Sequence, residues 1–394
     1  MALHVEIDAA GRDGDPGDGG AHEVTMGRQG RRLGHALAIG ALGALVIGAI
    51  VSGGRPDRGA PATTTTPGAG LPGRGSLLDR PTGLAILAAS DGRIVRIDLD
   101  DGTVVSAPAD LAGRAYLVRT LRGVLTVSFE RGSVLFPDDG AAPVRLGLGT
   151  PNYLGEGPRG RLWFADYAAS ADTSVRYVDT DRLAPAVTVD TAGLQGRLVG
   201  DGAAGLLAEA AGRTVRLRGR AGAPEPVAVG SPVAAANGFV VERICDDAAP
   251  CRLAVLDTRI GTARMLPATG GNDEAGFGIL VSPDGRWIVT ARLVSAGNDR
   301  IRAQRTLVGV DGTVVDLGPT DSPCLGSGCE DSPSWAADGS ILVGTRTGGE
   351  LWVWQPGLSL PQTLTLTLPT GVTLVQASLA VVPRAMSLPA TPTP

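Results

Sequence analysis

The amino-acid sequence predicts an all-β fold built from units of about forty residues. The string Asp-Gly-Thr-Val-Val occurs at 101–105 and again at 311–315, each time after an apolar run typical of a strand. A looser copy lies between them and contains Gly261-Thr262. Gly261 and Gly312 follow Gly102 by 159 and 210 residues. Four and five units then give periods of about 40 and 42 residues, which is the length of a four-stranded propeller blade closed by Asp-Gly hairpins.

Short strand-like runs separated by turn signals predict seven blades from residue 76 onward. Blade one has only three such runs, at 83–89, 93–99 and 103–107. The later blades are predicted to begin near Ala115, Pro151, Ala192, Ser231, Phe277 and Ser332. One further apolar run, Val372–Val382, belongs to none of them. We expect this C-terminal strand to complete blade one and close the ring, which removes an exposed sheet edge. Rings of six and eight blades remain alternatives.

Composition agrees with many short strands and excludes several functions. The chain has 58 Gly and 28 Pro against 5 Trp, 4 Tyr and 5 Phe, which favours strands joined by frequent turns. The formal charge is −5 and no basic run is present, so we expect no nucleic-acid partner. All 35 basic residues are Arg. Lysine Schiff-base chemistry and Ser–Lys dyads are therefore excluded.

Histidine is confined to the start of the chain. The three residues of this type are His4, His22 and His35. No residue beyond position 35 can supply an imidazole as a base or a metal ligand, which excludes Ser–His–Asp triads and His-ligated metals there. We therefore expect no catalytic residue, no metal site and no cofactor, and the protein is not expected to be an enzyme.

An uncharged run of 20 residues, Leu33–Ser52, is long enough to cross a bilayer as one helix. Three arginines precede it and two follow it: Arg28, Arg31, Arg32, Arg55 and Arg58. This excess predicts a cytoplasmic N-terminus, with residues 1–32 as a disordered tail. Residues 53–75, rich in Pro, Thr and Gly, are predicted to form a stalk. A cleaved secretory signal is the alternative, although its apolar core is normally shorter.

Small residues recur every fourth position within this run. Ala36, Gly40, Ala44 and Gly48 would share one face of the helix. Such a stripe lets two helices approach closely and predicts a homodimer in the membrane. A span this rich in Ala and Gly also produces such stripes by chance.

The four cysteines form two close pairs, Cys245 with Cys251 and Cys324 with Cys329. An even count of closely spaced cysteines in a membrane-targeted chain predicts two local disulfides. A four-cysteine zinc site and free thiols are the alternatives, although zinc loops usually have two to four residues between ligands. Disulfides place this part of the chain in an extracytoplasmic compartment.

Two segments resemble a known family. Val281-Ser282-Pro283-Asp284-Gly285-Arg286-Trp287 resembles the Ser-Pro-Asp-Gly hairpin of TolB-like and WD40-like (YVTN-type) bacterial β-propellers, and Ser332–Leu342 is a second version in which Ala337 replaces Pro. The Trp-Asp signature of WD40 repeats is absent, because Trp354 is followed by Gln355. The anchor and the Arg-only composition make the chain similar to membrane-anchored propeller proteins of high-GC actinobacteria. The resemblance implies a propeller over residues 76–384, with 385–394 as a disordered tail.

The expected function is a non-catalytic, membrane-tethered extracytoplasmic scaffold that binds a protein, a peptide or an envelope polymer, or senses a ligand. Propellers bind partners over the central channel, and the candidate partner-binding residues near predicted blade starts are Tyr153, Asn272, Asp273, Glu274 and Trp335. The alternative is a carboxylate-dependent hydrolase of the cell envelope that uses an acid pair such as Asp246-Asp247 or Asp273-Glu274. Two carboxylates about 5–10 Å apart across a pocket would favour that enzyme.

Overall fold

The computed structural model describes residues 77–386 apart from 91, 109–114, 129–131, 147–150, 158–159, 167–173, 181–185, 190, 192–193, 204, 218–223, 247–248, 268–278, 296–300, 321–332 and 376. The predicted membrane helix with its Ala36–Gly48 stripe, the stalk, Asn272–Glu274 and the Cys324/Cys329 pair all lie outside these residues. Within the described part of the chain, no helix has the length and apolar character needed to cross a bilayer.

The regular secondary structure of the described residues is strand, arranged as antiparallel meanders, apart from one short 3-10 helix at Thr347–Gly349. The first blade contains β1 (Leu84–Ser90), β2 (Arg93–Asp98) and β3 (Val104–Pro108), and its innermost strand is β28 (Ser378–Pro383). β28 pairs antiparallel with β1, from Leu84 opposite Pro383 to Ala89 opposite Ser378. The C-terminal strand therefore completes the first blade, as the three-strand count predicted.

Four more sheets have four strands each, in chain order from the innermost strand. One contains β4 (Ala115–Thr120), β5 (Gly123–Ser128), β6 (Gly132–Pro137) and β7 (Val144–Arg145). Another contains β16 (Ser231–Ala236), β17 (Phe239–Asp246), β18 (Ala249–Asp257) and β19 (Thr262–Met265). The next contains β20 (Leu280–Val281), β21 (Trp287–Ser295), β22 (Ile301–Gly309) and β23 (Val314–Thr320). The last contains β24 (Ser334–Trp335), β25 (Leu342–Thr345), β26 (Leu351–Trp354) and β27 (Gln362–Thr363).

The sixth sheet has eight strands. One half contains β8 (Pro151–Gly157), β9 (Arg161–Asp166), β10 (Ser174–Asp179) and β11 (Val187–Val189). The other contains β12 (Gln195–Asp201), β13 (Gly205–Ala210), β14 (Arg213–Leu217) and β15 (Glu225–Val229). The inner strands β8 and β12 run parallel and pair at Gly155 and Gly200.

The prediction of seven separate blades is therefore corrected: the described residues form a propeller with five separate four-stranded blades and one eight-stranded sheet. The physical reason is the contact between two glycines. A Cβ added to Gly155 would lie 2.5 Å from the carbonyl oxygen of Gly200. Only a pair of residues without side chains lets the two backbones approach closely enough to join the sheets.

The Asp-Gly hairpins have the predicted conformation. Gly102, Gly261 and Gly312 all have positive φ, at 72°, 70° and 93°, and each lies between the third and fourth strands of its sheet. The aspartate before the glycine accepts a hydrogen bond from the backbone N–H two residues on, at 2.8 Å for Asp101 and 2.9 Å for Asp311. Such Asx turns favour the hairpin locally, so the repeated string marks this turn in the two sheets that contain it, whereas Gly261 follows Ile260 and reaches a positive φ without an aspartate before it.

Aliphatic and aromatic side chains form the core between neighbouring sheets. Ile86 and Ile97 of the first blade pack against Val343 and Val353 of the last, where the ring closes. Four of the five tryptophans are buried, at Trp163, Trp335, Trp352 and Trp354. The fifth, Trp287, is half-buried with its ring centroid 4.8 Å from that of Trp354. These contacts between sheets hold the inner strands in place around the axis.

Candidate functional site

The innermost strands enclose a central channel. The channel is a cavity of about 340 Å³ lined by parts of β4, β8, β12, β16, β20, β24 and β28. At one end the lining includes Tyr116, Tyr153, Leu198, Val233, Ile279 and Pro333, and at the other Leu121, Glu156, Gly202, Asn237, Pro283 and Ala337. The cavity thus follows the inner strands along their length. Its volume lies within the range of small-molecule sites.

Most lining residues are aliphatic, and charge is concentrated on one side. Among the described lining residues, the charged ones are Arg119 and Glu156, on neighbouring strands β4 and β8. The Arg119 guanidinium donates two hydrogen bonds to Asp138, at 2.8 and 2.5 Å. This bidentate pair largely neutralises Arg119. Glu156 is then the lining group whose charge has no direct ionic partner.

Glu156 is held by one hydrogen bond. The backbone N–H of Leu121 donates to Oε2 of Glu156 at 2.7 Å, whereas the buried Oε1 has no partner in the protein. Burial raises the pKa of Glu156 to about 7, although the Leu121 hydrogen bond and the positive charges of Arg119 and Arg122 lower it. The carboxyl therefore changes between neutral and charged forms near neutral pH.

Two tyrosines lie on the same side of the channel as Glu156, toward the other end of β4 and β8. The Tyr116 hydroxyl accepts a hydrogen bond from the Tyr153 backbone N–H at 3.3 Å. Burial, with the nearby Glu156 and Tyr116, raises the pKa of Tyr153 well above its usual value, so this phenol stays neutral. The pairing of β8 with β9 shifts register between Tyr153 and Gly155. This bulge places the side chains of Tyr153 and Glu156 on the same face of β8, toward β4.

Single residues link most neighbouring inner strands. The Ser378 hydroxyl of β28 accepts from the Leu117 N–H of β4 at 2.8 Å, and the Ser334 hydroxyl of β24 accepts from the Val381 N–H at 3.3 Å. Asp201 at the end of β12 accepts from the Gly238 N–H at 2.7 Å. The Asn237 amide donates to the Pro283 carbonyl at 3.3 Å. These bonds fix the width of the channel.

One mouth of the channel is narrowed by three residues. A Cβ on Gly202 would lie 3.6 Å from the backbone of Asn237 and 3.7 Å from the Leu121 side chain. Leu121 is 52% exposed, so a large apolar side chain stands at this opening. Position 202 is therefore a place where a bulky substitution would block the channel without a close backbone clash.

Two of the predicted partner-binding residues line the channel. Tyr153 is half-buried there, and Trp335 also lines it but is only 5% exposed and packs edge-on against Trp354. Asn272, Asp273 and Glu274 lie outside the described residues. Sequence reasoning missed Glu156, Arg119 and Tyr116. The available signal was a charged residue inside each of two strand-like runs, 115–120 and 151–157.

Of the acid pairs considered for hydrolysis, Asp247, Asp273 and Glu274 lie outside the described residues. Among the described lining residues, Glu156 is the one carboxylate. Asp246 lies instead in the β17–β18 hairpin, which the Cys245–Cys251 disulfide closes. This disulfide was predicted from the cysteine spacing and is confirmed. Metal-binding clusters of His, Cys, Asp and Glu are likewise absent from the part of the chain that is described.

The fold and the channel define a β-propeller with a small, mainly apolar central cavity. No protein-family model and no curated protein matches the chain. TolB from Acinetobacter baumannii is similar at 15% identity and a TM-score of 0.41, over 80% of this chain and 89% of that chain. Apo AztD from Citrobacter koseri is similar at 13% identity and a TM-score of 0.46, over 76% and 97%. An oligogalacturonate lyase in complex with manganese is similar at 12% and 0.41, over 71% and 83%. None of these similarities assigns a ligand or an activity to this chain.

Proposed function

We propose that this protein is a non-catalytic, membrane-tethered extracytoplasmic propeller that senses a small ligand in its central channel. The observation that carries the proposal is the cavity of about 340 Å³, lined mainly by aliphatic side chains with one polar side formed by β4 and β8. Pockets that bind small molecules have this character, because apolar walls provide affinity and a few polar groups fix the orientation.

The tether and the compartment are supported by separate features. The uncharged run Leu33–Ser52 is long enough for one membrane helix, and the Cys245–Cys251 disulfide is typical of an oxidising compartment. We propose that the N-terminus is cytoplasmic and that the propeller lies outside the membrane. Protease added to intact spheroplasts should degrade the propeller. Protection of the propeller from the protease until the spheroplasts are lysed would contradict this orientation.

Ligand binding in the channel is tested with the neutral apolar fluorophore N-phenyl-1-naphthylamine. We expect saturable fluorescence enhancement with the full-length protein in detergent. The variant Gly202→Phe should lose most of it, because the ring would occupy the channel mouth between Leu121 and Asn237.

The variant Ala203→Phe is the matched control. It adds the same ring at the next residue of the same hairpin, where the side chain is exposed and does not line the channel. Wild-type binding by Ala203→Phe and loss by Gly202→Phe would support the proposal. Equal binding by all three proteins, or no binding by any, would refute a ligand site in the channel.

A further inference from the structure

The ionisable side chains among the described lining residues all come from one seam between two strands. Tyr116 and Arg119 come from β4, and Tyr153 and Glu156 come from β8. The wall formed by β12, β16 and β20 is mainly aliphatic, with residues such as Leu198, Val233 and Ile279. A ligand that fits both parts must have a polar end and an apolar end.

The charge at this seam favours a cation. Arg119 is paired bidentately with Asp138, and Arg122, which has an interaction of its own, does not line the cavity. Glu156 therefore provides the uncompensated charge among the described lining residues. Its Oε1 is buried without a protein partner, which costs free energy that a donor reaching it from the channel would recover.

We infer that the channel binds a small amphiphile with a primary amine, whose ammonium group lies against Glu156 and whose apolar part lies along β12, β16 and β20. The inference rests on the proposed function. An ammonium group carries three donors, and the ionised Glu156 carboxylate can accept from it. The inner strands are about 20 Å long at six residues, which leaves room for an extended alkyl chain of eight carbons.

Binding of an amine should depend on pH. Burial raises the pKa of Glu156 to about 7, while Arg119 and Arg122 act against it, and the phenol of Tyr153, whose pKa burial raises well above its usual value, stays neutral. The ammonium group pairs with the ionised carboxylate. Its affinity should therefore rise as pH increases toward 8 and fall by up to about tenfold per pH unit below 7.

The test is displacement of N-phenyl-1-naphthylamine from the full-length protein by n-octylamine, n-octanol and octanoate at pH 6 and pH 8. We expect octylamine to compete at least about tenfold better than octanol at pH 8, with octanoate the weakest. Glu156→Gln should abolish this preference, and Glu156→Asp should keep part of it. Glu242→Gln is the matched control, since Glu242 is also buried but does not line the channel.

The outcomes separate the two proposals. Fluorophore binding that Gly202→Phe blocks, with octanol or octanoate competing as well as octylamine, would overturn the amine assignment and leave the channel site standing. The amine assignment would also be overturned, and the channel site would stand, if Glu156→Gln keeps the preference for octylamine while its thermal unfolding remains cooperative. Absence of any channel binding would overturn both.

Discussion

Glu156 and Glu242 are two carboxyls that the fold buries without full hydrogen bonding. Glu242 is 2% exposed in β17, and one of its oxygens has no partner. Burial raises its pKa to about 7 from 4.5, against the effect of a hydrogen bond from Thr214. Glu156 has a raised pKa of about 7 for the same main reason. A raised carboxyl pKa means that ionisation opposes folding.

The sign of the pH effect follows from proton binding. Between pH 4.5 and about 7 the folded protein keeps protons on these carboxyls that the unfolded chain releases. Their contribution to the free energy of unfolding therefore falls as pH rises through this window, and it stays low above pH 7.

Glu242→Gln should stabilise the protein at pH 8 and have little effect at pH 4.5. The amide is uncharged at both pH values, so it avoids the cost of ionising a buried carboxyl, on the order of 3 kcal/mol for the shift of pKa at this site. Urea unfolding at the two pH values measures the difference. Glu225→Gln removes the same charge from an exposed position and controls for net charge. Equal stability of wild type and Glu242→Gln at pH 8 would contradict the expectation.

Residue-level patterns in the sequence predicted the turns but not the polar side of the channel. Asp101-Gly102 and Asp311-Gly312 act through their own backbone, so the local sequence is sufficient to specify the hairpin. Strict alternation along β8 assigns Tyr153 and Glu156 to opposite faces. The bulge between Tyr153 and Gly155 reverses this, and nothing local marks it except Gly155. Tyr153 was a candidate because it lies near a predicted blade start, a criterion that does not single out Glu156.

At the scale of elements, the join between β8 and β12 distinguishes this ring from the predicted set of separate blades. Gly155 has a φ of 140°, and its Cα faces the backbone of Gly200. The period of forty residues specifies a meander of four strands. The period does not specify how close two neighbouring inner strands come, because that distance depends on which residues of the two strands face each other.

Gly155→Ala should destabilise the protein by about 2 kcal/mol or more, because the new methyl group would meet backbone atoms of Gly200 that cannot rotate away. Gly212→Ala is the control. Gly212 also has a positive φ, 74°, in the same eight-stranded sheet, but a Cβ there meets nothing within 4 Å. The difference in urea midpoint between the two variants reports the backbone contact together with the extra cost of a φ of 140°, which alanine tolerates less well than 74°. Equal losses of stability in the two variants would show that the contact between Gly155 and Gly200 contributes nothing to stability.

At the scale of the whole molecule, stability depends on closing the ring through β28. Beyond the strand pairing, the Arg384 guanidinium bonds Asp98 at 2.8 Å and also contacts Asp101 in the first Asp-Gly turn. Arg96 donates to the carbonyls of Arg384 and Met386 at 2.6 and 3.1 Å. Met386, inside the tail predicted to be disordered, is only 4% exposed.

Deletion of residues 378–394 should abolish cooperative unfolding, because it removes the inner strand of the first blade and exposes Ile86 and Leu87. Deletion of 388–394 alone removes no described strand and should leave the midpoint of thermal unfolding within a few degrees of wild type. Arg384→Ala should lower the midpoint modestly, since this side chain is 46% exposed. Circular dichroism and calorimetry measure all three. A cooperative transition in the first deletion would contradict closure by β28.

The sequence by itself determined that the chain folds as β meanders with Asp-Gly hairpins, that its last strand completes the first blade, and that Cys245 and Cys251 pair. The hairpins and the disulfide depend on neighbouring residues, and closure by the last strand was deduced from a first blade one strand short and one strand left over. The tertiary structure alone decided the contact of Gly155 with Gly200, the apolar channel, and the position of Glu156 beside the Leu121 N–H. Each of these joins residues far apart in the chain, and the distance between them is set by how the sheets pack around the axis.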